Sequence, residues 1–344
     1  MDTTFLRSTH RLGSAALLIG IAGIVGCAGA PSESLRAGPS GQATTHRNSG
    51  REPAASYMRV VHPDADTVSL QVALRSFVPM RSRGPEIWLM GASHVGESNY
   101  FASLQRHLDG MALVLFEGVG ASSKRWQADA EEPSSLQYNL AASLGLAFQL
   151  RAINYDRAHF RNSDLTISQL QGLMRAGAET GGNQEGGEEF EQLLQVMDGS
   201  SFLGALLDVG LKFIASSPKL REMTKLVLIE TLGGFQGDLA QVRGLPPGLQ
   251  QLLNVIIQER DKAVLKDLAK EIRSPHPPPR VAVFYGAGHM ADLERRLRSE
   301  LEYRPHAQHW LTAISVNTRR AGLSPSEVET LRGLIRWQLE ALQP

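Results

Sequence analysis

Three short apolar runs stand out along the chain: Glu86-Ile87-Trp88-Leu89-Met90, Met111-Ala112-Leu113-Val114-Leu115-Phe116 and Val281-Ala282-Val283-Phe284-Tyr285. Each is too continuous for an amphipathic helix and is closed by glycine or a polar residue, the pattern of strands buried on both faces of a parallel sheet. Thr67 to Leu74 alternates enough to predict a further strand. Phe101, Leu104 and Leu108 recur at helical spacing between the first two runs, so this region predicts strand, helix, strand, the size of one βαβ unit. Further helices are predicted over 134–150, from a start at Asp164-Leu165-Thr166 capped by Asp or Thr, over 202–214 and 220–232, and over 249–272. Residues 176–188 are rich in Gly and Glu without periodicity and predict a disordered loop. Pro277-Pro278-Pro279 forces an extended approach to the Val281 strand. Helices over 289–301 and 324–342 follow, the second with a Ser324-x-x-Glu327 capping pattern. The expected fold is α/β, a central mostly parallel sheet flanked by helices. A large helical insertion at about 134–275 separates its two outer apolar strands, within a domain over 57–344.

The amino terminus carries a different signal. Arg7, His10 and Arg11 precede an apolar run from Leu12 to Gly26, the length of a secretory h-region. The run ends in Ile24-Val25-Gly26-Cys27, which resembles a bacterial lipobox and implies a signal peptide over 1–27, export, and a lipid anchor on Cys27. Ala28 rather than Asp after the cysteine points to the outer membrane, on its periplasmic side. An uncleaved membrane anchor is the alternative, since the apolar stretch nearly reaches spanning length. Residues 28–56, rich in Pro, Ser, Gly, Thr and Ala, read as a flexible linker. Cys27 is the only cysteine, so the domain has neither a thiol nucleophile nor a disulfide. Lys+Arg and Asp+Glu are equal at 35 each, which leaves no basic footprint for nucleic acid.

Candidate chemistry sits at strand ends. The run at 86–90 closes in Gly91-Ala92-Ser93-His94 and the run at 281–285 in Gly286-Ala287-Gly288-His289, about 195 residues apart. In open α/β sheets the ligand crevice lies outside the carboxyl ends of strands, so both imidazoles are delivered to one place. Glu117 closes the middle run in the same way. Two imidazoles and a carboxylate form a recurrent ligand set for a divalent metal with open positions for water. Taken singly, each histidine is as readily a hydrogen-bonded loop residue. Glu259-Arg260-Asp261 lies mid-helix after an apolar turn, which places Arg260 to bind a carboxylate or stabilise an oxyanion rather than to join a solvated face. Glu97 and Asp292, three residues after each histidine, are candidates to orient them, as are Glu259 and Asp261, with helix capping the alternative for the first two. Asp156 and His159 are candidates to reach the same cleft from the insert. A Gly-x-Ser-x-Gly elbow, a Walker loop and a dinucleotide fingerprint are all missing from the sequence.

The ordered set Gly91 to His94, Phe116-Glu117-Gly118, Glu259-Arg260-Asp261 and Gly286 to His289 resembles the TraB/PrgY/GumN family. That group includes the Tiki proteins and lies in a wider superfamily with ChaN-like and erythromycin-esterase-like proteins. The resemblance spans about Leu70 to Tyr303 and implies an α/β core with both histidines and the glutamate close together. For the Tiki branch it implies metal-dependent proteolysis with Mn or Co-type ions. Tiki-like members tend to carry Glu-Leu-Asp where this chain has Phe116-Glu117-Gly118, which sets its protease activity apart from the shared glutamate.

The expectation is a membrane-tethered, metal-dependent hydrolase, peptidase-like, with His94, Glu117 and His289 holding the metal and Arg260 stabilising the oxyanion. Two alternatives stand beside it. One is a binding lipoprotein that holds a peptide or small molecule in the same cleft. The other is a metal-free, esterase-like hydrolase with His94 or Glu117 as general base.

Overall fold

The computed structural model describes residues 56–81, 84–118, 136–166, 169–170, 172–173, 202–235 and 255–340. Residues 1–55, with Cys27 and most of the linker, lie outside them, as does the 176–188 loop.

Among the described residues nine strands form: β1 (Met58–Val61), β2 (Thr67–Pro79), β3 (Glu86–Ala92), β4 (Val95–Gly96), β5 (Leu113–Phe116), β6 (Ala147–Phe148), β7 (Phe160–Asn162), β8 (Arg280–Gly286) and β9 (Tyr303–Asn317). The longer helices among the described residues are α1 (Ser98–Asp109), α2 (Leu136–Leu144), α3 (Phe202–Ala215), α4 (Pro218–Gly234), α5 (Arg260–Ile272), α6 (Met290–Glu300) and α7 (Pro325–Glu340), and Gln149–Ala152 forms a single helical turn. A π-helical turn, Val255–Glu259, leads into α5.

Seven strands make one mixed sheet ordered β1-β2-β3-β8-β5-β7, with β9 also paired to β2. β3 with β8, β8 with β5 and β5 with β7 are parallel, while β1, β3 and β9 all run antiparallel to β2. Six of the seven strands therefore point one way, and only β2 runs back. The carboxyl ends of β3, β8, β5 and β7 share one edge.

β3, β8 and β5 are apolar on both faces because helices cover both. Ile87, Leu89, Val281, Val283 and Leu115 pack with Val264 and Leu268 of α5 and Leu293 and Leu297 of α6. Met90, Ala282, Phe284 and Val114 pack on the other face with Leu104 and Leu108 of α1 and Leu226 and Ile229 of α4. Fully burying such a side chain contributes about 1.5–3 kcal/mol, so the alternating faces of β8 lock its register. The carboxyl end of β8 is thereby held between two layers.

β6, β7 and β9 are among the strands that differ from the sequence expectation. β7 falls inside the span expected to be a helical insert, yet it is the outer strand of the main sheet. The expected helix over 134–150 is broken at Gly145, whose φ is +65°, and Ala147–Phe148 pairs as β6 with β4 instead. β9 is the longest strand, running beside β2 from Thr67 to Pro79.

Candidate active site

At the carboxyl edge the chain must leave β3, β8, β5 and β7, and each departure places a polar side chain there. β8 ends at Gly286 and passes through a single 3-10 turn, Ala287–His289, into α6. β3 ends at Ala92, and His94 lies between it and the two-residue β4. The first glycine of the β3 repeat is less a turn than a space. A Cβ on Gly91 would lie 3.4 Å from the Cα of Ala287 and 3.3 Å from Met290 and Val72, so the two repeats pack directly against one another.

Glu117, just beyond β5, sits at the middle. Its Oε2 accepts the amide of Gly286 at 2.7 Å, and its Oε1 accepts Nη2 of Arg260 at 2.6 Å. Arg260 opens α5 and is 2% exposed. Its Nε and Nη2 also donate to the two oxygens of Asp164 at 2.9 and 2.7 Å, a bidentate pair. Asp164 in turn accepts the amide of Gly118 at 3.0 Å. The guanidinium is engaged by two buried carboxylates, so what it does in this arrangement is hold Glu117, rather than face a substrate oxygen.

His289 is 1% exposed and its Nδ1 is 2.8 Å from Oδ1 of Asp261. In the neutral ring that contact sets Nδ1 as the protonated nitrogen and leaves Nε2 with its lone pair. Nε2 is buried, has no hydrogen-bond partner among the described residues, and lies 3.8 Å from Oε1 of Glu117. The Tyr285 ring stands edge-on to the imidazole at 5.4 Å, and its hydroxyl donates to the carbonyl of Ser163. His94 completes the group. Its Nε2 is also buried and unpartnered among the described residues, its carbonyl accepts the amide of Gln149 at 2.9 Å, and the Gln149 side chain reaches the ring.

The charges follow from these neighbours. Burial pushes the Glu117 carboxyl up, but Arg260 and then the two imidazoles outweigh it and hold the pKa at about 2. Burial pulls His289 down, but the Asp261 carboxylate more than reverses this and leaves it above the ordinary histidine value. Burial lowers His94 despite Glu117 beside it, so that ring is neutral at pH 7.

His94, Glu117, Arg260, Asp261 and His289 thus converge, and the other candidates do not. Glu97 accepts the amide of Ser315 at 2.8 Å, fastening α1 to β9 instead of orienting His94. Asp292 is held by Arg295 and, at 2.5 Å, by Arg296 on its own helix. Glu259 pairs with Lys262 on the surface. Asp156 is exposed, and His159 reaches the carbonyl of Leu108 from the amino end of β7, the opposite edge of the sheet. Asp164, read from sequence as a helix cap, is a central member of the site. The signal that would have found it is its place just after β7, a strand of three residues with no apolar run to announce it.

The divalent metal implied by the family resemblance can be tested against these donors. Two free imidazole nitrogens meet part of that expectation. The carboxylate does not, because the oxygen facing His289 already takes a guanidinium at 2.6 Å, which would stand against a bound cation. Among the described residues no three His, Cys, Asp or Glu side chains are grouped to hold a metal ion. The residues as placed do not fit one. No protein-family model, no curated protein and no solved structure matches the chain.

Proposed function

We propose that the protein is a hydrolase, held at the membrane outside the cytoplasm by a lipidated Cys27, that activates water at His289 and cleaves a peptide or a small-molecule ester or amide. The observation that carries this reading is the buried Asp261–His289 pair, whose free Nε2 faces the Glu117 carboxylate. Water seated at Nε2 gives its proton to the imidazole while its oxygen attacks the substrate carbonyl carbon. Asp261 stabilises the imidazolium that forms, which then returns the proton to the leaving group. Glu117, kept ionised and fixed by Arg260 and the Gly286 amide, orients that water and adds negative potential beside the imidazolium. Membership of the TraB/PrgY/GumN group is part of this proposal, supported by the ordered motifs. So is the view that most of 134–275, β7 excepted, is an insert that varies the wall of the site.

A second reading keeps the metal-dependent hydrolase, with His94, Glu117 and His289 binding a Mn or Co-type ion. It is favoured by the two unpartnered Nε2 atoms. Metal content and turnover of a panel of chromogenic esters and peptides, with and without chelator, separate the readings. The proposal expects turnover that survives chelation and falls at least 100-fold in His289→Ala. A stoichiometric ion whose removal abolishes turnover would establish the second reading instead. Saturable retention of a peptide without turnover would make the protein a binding lipoprotein.

A further inference from the structure

Outside the site, a groove of about 490 Å³ runs between α1 and α2 and is floored by the strap over 146–152. The strap is well fixed. β6 pairs with β4 just after His94, and Gln149 bonds the His94 carbonyl and the Tyr155 hydroxyl. Phe101, Ala141 and Phe148 form the buried base of the groove. Five of its eleven lining residues are alanines, Ala102, Ala141, Ala142, Ala147 and Ala152. Where facing elements elsewhere in this fold carry Leu or Phe, these positions leave the two helices unclosed, although protein interiors ordinarily pack without such gaps. The volume is within the ~300–1,000 Å³ of small-molecule sites.

The charge on the groove is as simple as its shape. Among the described residues that line it, Arg151 is the only one charged at neutral pH, and none is an acid. Among the described residues the Arg151 side chain has no hydrogen bond or ion pair. A guanidinium presents a planar fork that matches one carboxylate bidentately. An apolar trough with one such cation at its rim is complementary to a linear apolar chain ending in a carboxylate.

We propose that this groove binds an alkyl carboxylate, a fatty-acid-like amphipath, with its chain over Phe101 and Phe148 between the alanine walls and its head group on Arg151. The site is separate from the His289 centre and does not depend on the hydrolase reading.

The test uses the full-length lipoprotein in lipid nanodiscs and a photoreactive diazirine derivative of dodecanoate, with labelled peptides mapped by mass spectrometry. Label is expected on peptides from 98–109 and 136–152, competed by dodecanoate and at least tenfold less well by 1-dodecanol. Arg151→Glu is expected to reduce labelling at least tenfold, and Arg151→Lys to keep most of it. Ala102→Trp, at an exposed rim position, is expected to block the groove with the same loss. Thermal melts establish that each variant is folded, and either of the two disrupting variants suffices. Labelling that spreads over the surface, that the alcohol competes equally, or that survives both Arg151→Glu and Ala102→Trp would overturn the proposal.

Discussion

At the residue scale, the site is a row of ionisable groups, Asp164, Arg260, Glu117, His289 and Asp261, joined by hydrogen bonds except between Glu117 and His289, which face each other at 3.8 Å. Removing the one cation that joins two carboxylates leaves both buried and uncompensated, which in such networks costs about 3–5 kcal/mol. Arg260→Ala is therefore expected to lower the free energy of unfolding, measured in urea, by that amount. Arg260→Lys is expected to recover only part of it, because an ammonium cannot reproduce the fork to Asp164. The pH dependence has two opposite contributions. His289 has a folded pKa above its unfolded value, so its stabilisation is full below about 6.5 and fades as pH rises through the raised pKa. Glu117 is depressed to about 2, so its stabilisation is present above the unfolded pKa and fades as pH falls toward 2. As a general base His289 must be neutral, so kcat/KM should rise with pH on a limb whose apparent pKa exceeds that of a free histidine. Asp261→Asn removes the carboxylate that raises it, and is expected to move that limb to lower pH while kcat falls about 10²–10⁴-fold. A limb that stayed in place would exclude Asp261 as its cause.

Elements differ in how openly the sequence declares them, and the reason is burial. β3, β5 and β8 were legible because strands covered on both faces must be apolar at nearly every position. β9 was not, because its first half is exposed and polar and contains Pro305, so no apolar period marks it. β1 and β7 are too short for a pattern. His94, Glu117 and His289 could be read as strand-end residues because their strands could be read, whereas Asp164 could not. The Gly-Ala repeat also meant something other than its sequence suggested. Gly91 gives the second repeat room to pack, as its near contact with Ala287 shows. A closer approach occurs where α4 crosses β1. A Cβ on Gly233 would lie 2.6 Å from Cγ2 of Val60 and 2.7 Å from its backbone nitrogen. Backbone on both sides cannot yield cheaply, so Gly233→Ala is expected to destabilise the domain by about 1–3 kcal/mol. Denaturant unfolding measures this directly, and an unchanged midpoint would mean that α4 can move off β1 without loss.

At the scale of the whole molecule, the question is how a domain tethered as proposed would present the edge that carries the candidate site. The first described residues lie beside that edge. Met58 pairs with Val72 on β2, two residues past the Leu74–Met90 pair where β3 is leaving the sheet, so β1 continues the edge that β3 vacates. The junction is clasped from three sides. Arg75 donates to the carbonyl of Ser56 at 2.8 Å, Arg75 pairs with Glu294 at 2.9 Å, and the Tyr57 hydroxyl donates to Glu294 at 2.8 Å under the guanidinium. This buried cluster fastens Ser56 and Tyr57 to β2 and α6 rather than to residues of the site. Among the described residues no helix is long and apolar enough to cross a membrane, so in the proposed arrangement attachment rests on the sequence before Ser56. Cys27→Ser is accordingly expected to move the protein from the detergent-extracted membrane fraction to the soluble fraction if the signal sequence is cleaved. The domain should keep its melting temperature and specific activity toward a soluble substrate. Retention in the membrane would instead favour an uncleaved amino-terminal anchor, and a lower melting temperature would mean that the clasp at Tyr57 does not isolate the fold from its tether.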